Sequence, residues 1–150
     1  MSSRSKVLVV GGTGNLGGQV VTELLGRNKE VRVLARASSN VERLRASGVE
    51  IVLGDMRDLE SLTKAMTGVD AVVTTAAGYT RRGEDSSGTD TEGQSNLAVA
   101  AAQVGVSRFV LTSILTCDQT PQVPHFWHKK LAEDKLSQLG VPFVALRPGA

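Results

Sequence analysis

The sequence predicts an α/β fold, a doubly wound parallel sheet of six strands in the order 3-2-1-4-5-6 with helices on both faces. Three observations carry that expectation. Short apolar runs alternate with helical segments along nearly the whole chain, which requires right-handed crossovers between parallel strands. The apolar residues, 41% of 150, are mostly Val, Leu and Ala, and only five are aromatic (Tyr79, Phe109, Phe126, Trp127 and Phe143). That composition suits strands buried on both faces under close-packed helices. Finally, a cluster of glycines, from a total of sixteen, directly follows the first apolar run.

The elements follow in order. Residues 6–10 form a β-branched run stopped by Gly11 and Gly12, the first strand. Residues 15–27 have helical spacing at Leu16, Val20, Leu24 and Leu25, with Gly26 near the end. Residues 30–35 are the second strand. Ser39 or Asn40 caps a short helix through Ala46, and Gly48 stops it. Residues 49–53 are the third strand, and Asp58 caps a helix through Met66 that Gly68 ends. Residues 71–75 are the fourth strand. The polar, glycine-rich stretch from Thr80 to Gly93 reads as a surface loop within the domain. It overlaps the start of a helix expected over 89–104, with Leu97, Ala98, Ala101 and Ala102 inward and Gly105 at its end. Residues 108–112 are the fifth strand, 125–139 a helix ended by Gly140, and 143–146 the sixth strand, stopped by Pro148 and Gly149.

Composition narrows the function. At 15.8 kDa the chain has the size of one ordinary domain, here expected over residues 1–150. It needs no disulfide or metal to fold, and a lone Cys117 excludes an internal disulfide and a cysteine-rich zinc site; no metal is expected. Seventeen Lys and Arg against fifteen Asp and Glu give +2, too balanced for a nucleic-acid partner. Apolar runs of about five residues are far short of a membrane span, and Met1 to Lys6 is polar with no apolar run behind it. A cytoplasmic location with no membrane partner is the expectation.

The first strand runs into Gly11-Gly12-Thr13-Gly14-Asn15-Leu16-Gly17-Gly18. Gly11 allows a tight turn, Gly14 lets backbone approach a pyrophosphate, and Gly17 lets the helix pack closely on the sheet. The helix start, with the amides of Asn15 and Leu16, offers donors and a positive dipole end to phosphate. No Lys-Ser or Lys-Thr follows, which excludes a P-loop. A glycine triplet alone signifies little, but this one follows a strand and opens a helix, the setting of a Rossmann dinucleotide site. The second strand ends Val33-Leu34-Ala35-Arg36, with no carboxylate to bond a ribose 2′-hydroxyl. A guanidinium at Arg36 suits a 2′-phosphate instead, so NADP(H) is expected over NAD(H). The plain alternative is that Arg36 is one solvated cation among seventeen Lys and Arg.

Four landmarks in order, Val-Gly-Gly-Thr-Gly-Asn-Leu-Gly at 10–17, Gly54-Asp55-Met56-Arg57-Asp58, Gly68-Val69-Asp70-Ala71-Val72 and Arg147-Pro148-Gly149, resemble the atypical short-chain dehydrogenase/reductases, in particular their NmrA-like, NAD(P)H-binding branch. The resemblance extends over nearly the whole chain. It implies that Thr13 belongs to the phosphate loop, that Asp55 meets the adenine amino group, and that Met56 supports the ring through its backbone. Asp55 has a plain alternative as a turn-forming residue. It further implies that Thr75, Ala76, Ala77 and Gly78 pass beside the ribose and nicotinamide.

The chain departs from the family at the chemistry. The family pairs Tyr-x-x-x-Lys on one helix face; aligning the helix that carries Glu133 puts Lys129 at the lysine and His125 at the tyrosine. Histidine exchanges protons near neutral pH and keeps a reductase open; ordinary helix-start residues are the bland reading of His125 and His128, and a solvated face beside Lys130 that of Lys129. The family's carbonyl-polarising serine falls on Ile114, with Ser113 one residue away, and its relay asparagine falls on Asp90. Tyr79 is an alternative acid, and Phe126-Trp127 either line the site or pack the helix. The resemblance implies a substrate pocket built largely after Arg147-Pro148-Gly149, so the sequence is expected to lack the substrate-selecting segment. Two readings stand: the cofactor-binding part of an NADPH-dependent reductase acting on a small molecule, or a non-catalytic dinucleotide-binding redox sensor. A nucleotide-sugar epimerase relative is a weaker third. Pairing of the last two long helices would give a homodimer, by analogy of fold alone.

Overall fold

A computed structural model describes residues 4–76 and 88–149. Along the chain it forms β1 (Lys6–Val10), α1 (Asn15–Gly26), β2 (Glu30–Ala35), α2 (Glu42–Ala46), β3 (Glu50–Leu53), α3 (Leu59–Met66), β4 (Ala71–Thr74), α4 (Gln94–Val104), β5 (Arg108–Thr112), α5 (Pro124–Gln138) and β6 (Phe143–Leu146). The six strands make one parallel sheet in the order β3-β2-β1-β4-β5-β6. The chain reverses its direction of travel between β1 and β4, so a crevice opens at their carboxyl ends.

Strand residues alternate between two cores. On one face Leu8, Val10, Leu34, Val72, Phe109 and Leu111 pack under α3, α4 and α5. On the other Val7, Val9, Val31 and Val33 pack under α1 and α2. The second face has fewer helices, and by alternation Val144 (43% exposed) and Leu146 (53% exposed) of the edge strand β6 lie on it uncovered.

Several local expectations shift. Leu16 is 50% exposed and Val21 is buried in its place, because Leu16 stands in the first turn, at the open end of the sheet. Gly26 is the last residue of α1 as expected, and Asn28 (φ 60) takes the left-handed position two residues on. Neither Ser39 nor Asn40 is the N-cap of α2: Val41 takes that position with no side-chain cap bond, and Asn40 Oδ1, one residue earlier, accepts from the Glu42 amide at 3.3 Å. The helix expected over 89–104 is divided: Gly88–Gly93 is a π-helical turn and the α-helix begins at Gln94. That run holds two glycines and no apolar side chain to fix a regular first turn. In α4 Ala100, not Ala102, is buried, since Ala102 lies well off the Leu97-Ala101 face. Asp58 caps α3 as expected, accepting from the amides of Glu60 and Ser61.

One polar residue inside the sheet was not foreseen. Arg32 of β2 donates through Nη1 to the carbonyls of Ala65 and Thr67, both at 2.7 Å, and through Nε to Glu50 at 2.8 Å. It satisfies carbonyls at the end of α3 and places a cation at the negative end of that helix. The Arg32 hydrogen bond holds the Glu50 carboxyl below the usual carboxylate range.

Candidate functional site

The glycine turn is built by exclusion. Gly11 takes φ 93, and a Cβ there would stand 2.5 Å from Thr75 Oγ1 and 2.9 Å from the Ala76 nitrogen. A Cβ on Gly17 would stand 1.9 Å from the Gly11 carbonyl oxygen, and one on Gly12 2.8 Å from Val33 Cγ1. These three glycines are therefore required by packing: the loop lies against β4 and the start of α1 lies against the loop. Gly14 is different. Its Cβ would meet nothing nearer than 3.4 Å, and its φ of −85° is open to any residue. The protein has no need of glycine there, which leaves the space in front of it to a ligand. Thr13, Gly14, Asn15 and Leu16 are all exposed, no side chain caps α1, and no acidic residue stands in its first turn. The first amides of the helix have no intrahelical partner, so the crevice presents donors and a positive dipole end. This cradle fits a pyrophosphate.

Three further loops flank it. Arg36 is exposed directly after β2, in a turn closed by the Ser39 amide on the Arg36 carbonyl at 2.9 Å. After β3, Asp55 is half-buried; its Oδ1 accepts from the Arg57 amide at 2.8 Å, and its own amide donates to Ser61 Oγ at 3.0 Å. The turn-forming role of Asp55 is thus real and uses Oδ1. Met56 is partly buried against the larger core, and its carbonyl accepts from Asn96 Nδ2 at 3.0 Å. After β4, Thr75 donates its amide to Val10 at 2.9 Å, and the Ala76 carbonyl accepts from Gln94 Nε2 at 3.0 Å. Ala77, Gly78 and Tyr79 lie outside the described residues, as does the side chain of Asp90.

At the end of β5 the structure gathers residues that the sequence reading treated separately. Ser113 is 2% exposed, with Oγ 3.6 Å from Cys117 Sγ. The Cys117 thiol, fully buried, donates to Glu133 Oε1 at 3.8 Å. Arg147 grips Glu133 with two parallel bonds, Nε to Oε1 at 2.9 Å and Nη2 to Oε2, and lies 3.4 Å from Asp118. Burial pushes the Glu133 carboxyl up, but hydrogen bonds from Arg147 and Ser113 and the Arg147 charge outweigh it and hold the group below the usual carboxylate range. Glu133 in turn raises Arg147. The cluster ties the loop after β5, the middle of α5 and the end of β6 together. Ser113 is thereby turned into the cluster, and Ile114 beside it is half-buried. Glu133 and Arg147 were legible as landmarks; their pairing was not, because fourteen residues separate them.

His125 and Lys129 lie on the first turns of α5, which starts at the carboxyl end of the sheet, and both are half-buried. The His125 ring meets Phe126 edge-on at 4.8 Å between centroids. Phe126 and Trp127 are half-buried. Among the described residues, no group of three or more metal-ligating side chains occurs and no helix is long and apolar enough to cross a membrane.

The NmrA-like family model matches residues 3–147. The chain belongs to the NmrA-like family. Among curated relatives, the photosystem II assembly factor Ycf39 of Synechocystis is 34% identical over 145 residues, 95% of this chain and 44% of that protein. Among solved structures, WbmG of Bordetella bronchiseptica in complex with NAD has a TM-score of 0.80 at 27% identity, covering 97% of this chain and 53% of that one. Triphenylmethane reductase of Citrobacter complexed with NADP(H) has a TM-score of 0.79 at 25% identity, covering 94% and 48%. This NmrA-like chain thus has the NAD(P)-binding Rossmann fold, with reductases among its neighbours, and spans about half the length of the proteins it matches.

Proposed function

We propose that this NmrA-like chain binds NADP(H) in preference to NAD(H) and forms the cofactor half of a reductase acting on a small molecule. The observation that carries the reading is the glycine turn, where packing demands Gly11, Gly12 and Gly17 and leaves the space before Gly14 open. Thr13, Gly14, Asn15 and Leu16 would hold the pyrophosphate through backbone amides. Arg36 would pair with the 2′-phosphate. Asp55, through the oxygen its turn leaves over, would accept from the adenine amine, with Met56 beside the ring. Ala76, Ala77 and Gly78 would line the nicotinamide side. The bound dinucleotide supplies a hydride. Lys129 would hold the nicotinamide ribose and keep a positive charge beside the reacting centre, and His125, one turn away, would exchange the proton.

The test is titration with NADPH and NADH. Arg36→Ala should weaken NADPH by about 10- to 100-fold, the worth of a charge-assisted hydrogen-bond pair, and leave NADH unchanged. Unchanged NADPH affinity would sink the assignment. Turnover of quinones or aldehydes that vanishes in Lys129→Ala would identify an enzyme.

A second reading has its own support. Ser113 is buried in an ion-pair cluster and a histidine stands at the tyrosine position, which favours a non-catalytic dinucleotide sensor or an assembly factor like its Ycf39 relatives. Saturable NADPH binding without turnover of any substrate class by a full-length form would select it.

A further inference from the structure

We propose that the start of α4 is a brace between the two halves of the dinucleotide site, with Gln94 and Asn96 as positioning residues that set the nicotinamide-side and adenine-side walls from one helix. The inference rests on the cofactor reading above and extends it to residues that were not expected to touch the cofactor.

Gln94 is 4% exposed, and its Nε2 donates to the carbonyl of Ala76, two residues past β4, at 3.0 Å. Asn96 Nδ2 donates to the carbonyl of Met56, in the loop after β3, also at 3.0 Å. Side chains two apart on a helix point to nearly opposite sides, so neighbouring amides reach two different loops. Neither loop carbonyl lies in a sheet ladder, and a half-buried carbonyl needs a partner. The helix is a firm base, since Leu97, Ala98 and Ala101 are at most 1% exposed in the larger core. The far side of each loop is also held. The residue before Ala76 is tied to β1, its amide donating to the Val10 carbonyl at 2.9 Å, and the Asp55 amide is tied to Ser61 Oγ. What remains to each wall is motion along the crevice, which the two amides prevent. A misplacement of about 1 Å costs a positioned reaction up to about a hundredfold in rate, so walls held from one helix matter to the geometry of both halves.

The experiment compares two probes on the whole chain: NADPH, and adenosine 2′,5′-bisphosphate, which carries the adenine half alone. Asn96→Leu removes the donor while keeping the branching and heavy-atom count of the side chain, and should weaken both probes by the same factor, about five- to tenfold. Gln94→Met should weaken NADPH by a similar factor and leave the bisphosphate within about twofold. Thermal unfolding establishes that each variant is folded. A readout without mutation covers a variant that is not: the bisphosphate should slow hydrogen exchange at Thr75 and Ala76, outside its own footprint. Equal losses of both probes in both variants, no loss in either, or unchanged exchange at Thr75 and Ala76 would overturn the brace. Failure of the unmutated chain to bind either probe would overturn the cofactor reading itself and the brace with it, and that result is visible before any variant is made.

Discussion

Replacing Arg147 by Met tests the cluster at the end of β5. Glu133 is 7% exposed and receives both parallel bonds from Arg147. Without the guanidinium, the carboxylate still receives hydrogen bonds from the Ser113 hydroxyl and the Cys117 thiol, neither of which carries charge, and Lys130 acts on it through its field alone. Breaking a buried pair from one side costs about 3–5 kcal/mol. The Arg147 side chain is 33% exposed, so water replaces part of what is lost and the lower end, about 3 kcal/mol, applies. For a chain of this length that lowers the thermal midpoint by about 10 °C. The cost depends on pH with a definite sign. In the native chain Glu133 is held below its ordinary value, so its contribution is present above the unfolded carboxyl value of about 4.3 and is lost as pH falls through the folded value. In Arg147→Met the stranded carboxyl escapes its cost by taking up a proton, so the gap between variant and native chain narrows from pH 7 toward pH 4. The double variant Glu133→Gln/Arg147→Met removes both charges and should recover much of the loss. Circular dichroism melts at both pH values decide the matter. A single variant within about 2 °C of the native chain at pH 7, or a double variant no better than the single, would refute the reasoning.

Other perturbations separate packing from binding. Gly17→Ala forces a Cβ to within 1.9 Å of the Gly11 carbonyl and should both lower the melting point and abolish dinucleotide binding, whereas Gly14→Ala, with 3.4 Å to its nearest neighbour, should melt like the native chain and still lose NADPH affinity. A Gly14→Ala variant with native affinity would remove the pyrophosphate from that place. Arg32→Met should cost about 2 kcal/mol in urea unfolding, the loss being the carbonyls of Ala65 and Thr67 left without a donor. Because Arg32 holds Glu50 below its ordinary value, the same variant should show a shallower fall in stability from about pH 5 to pH 3 than the native chain.

The fold was legible because its signals are local. The runs of β1, β3 and β6 stop or start directly at a Gly or Pro, and with parallel crossovers of one hand few orders remain. The errors occur where locality ends. Leu16 fits the helical period of α1 yet is exposed, since period fixes a face and not whether the sheet extends far enough to cover it. Arg32 sits at a position where alternation expects an apolar side chain, and only the arrival of the α3 carbonyls at 2.7 Å explains it. The π-helical turn at Gly88–Gly93 has two glycines and a lack of apolar side chains as its mark in the sequence, and the same mark fits a plain loop.

The site divides along the same line. Its cofactor half is built from backbone and glycine, so spacing alone marks it: the 1.9 Å and 2.5 Å clashes at Gly17 and Gly11 state in distances what Gly-x-x-Gly-x-x-Gly states in letters. The ion-pair cluster at the end of β5 is built instead from side chains brought together across long separations. Ser113, Cys117, Glu133 and Arg147 make one cluster from three elements, and the only mark of it in the sequence is that an acid on α5 and a base after β6 are both present. The same holds for Gln94 and Asn96, polar residues at the start of a helix whose middle is apolar, whose partners lie 18 and 40 positions away. A polar side chain on the sheet-facing part of a helix is thus the signal worth following in such a fold. Buried without a reason of its own, it marks a loop carbonyl that must be held, and in this sheet the loops that must be held are those at the carboxyl ends of the strands.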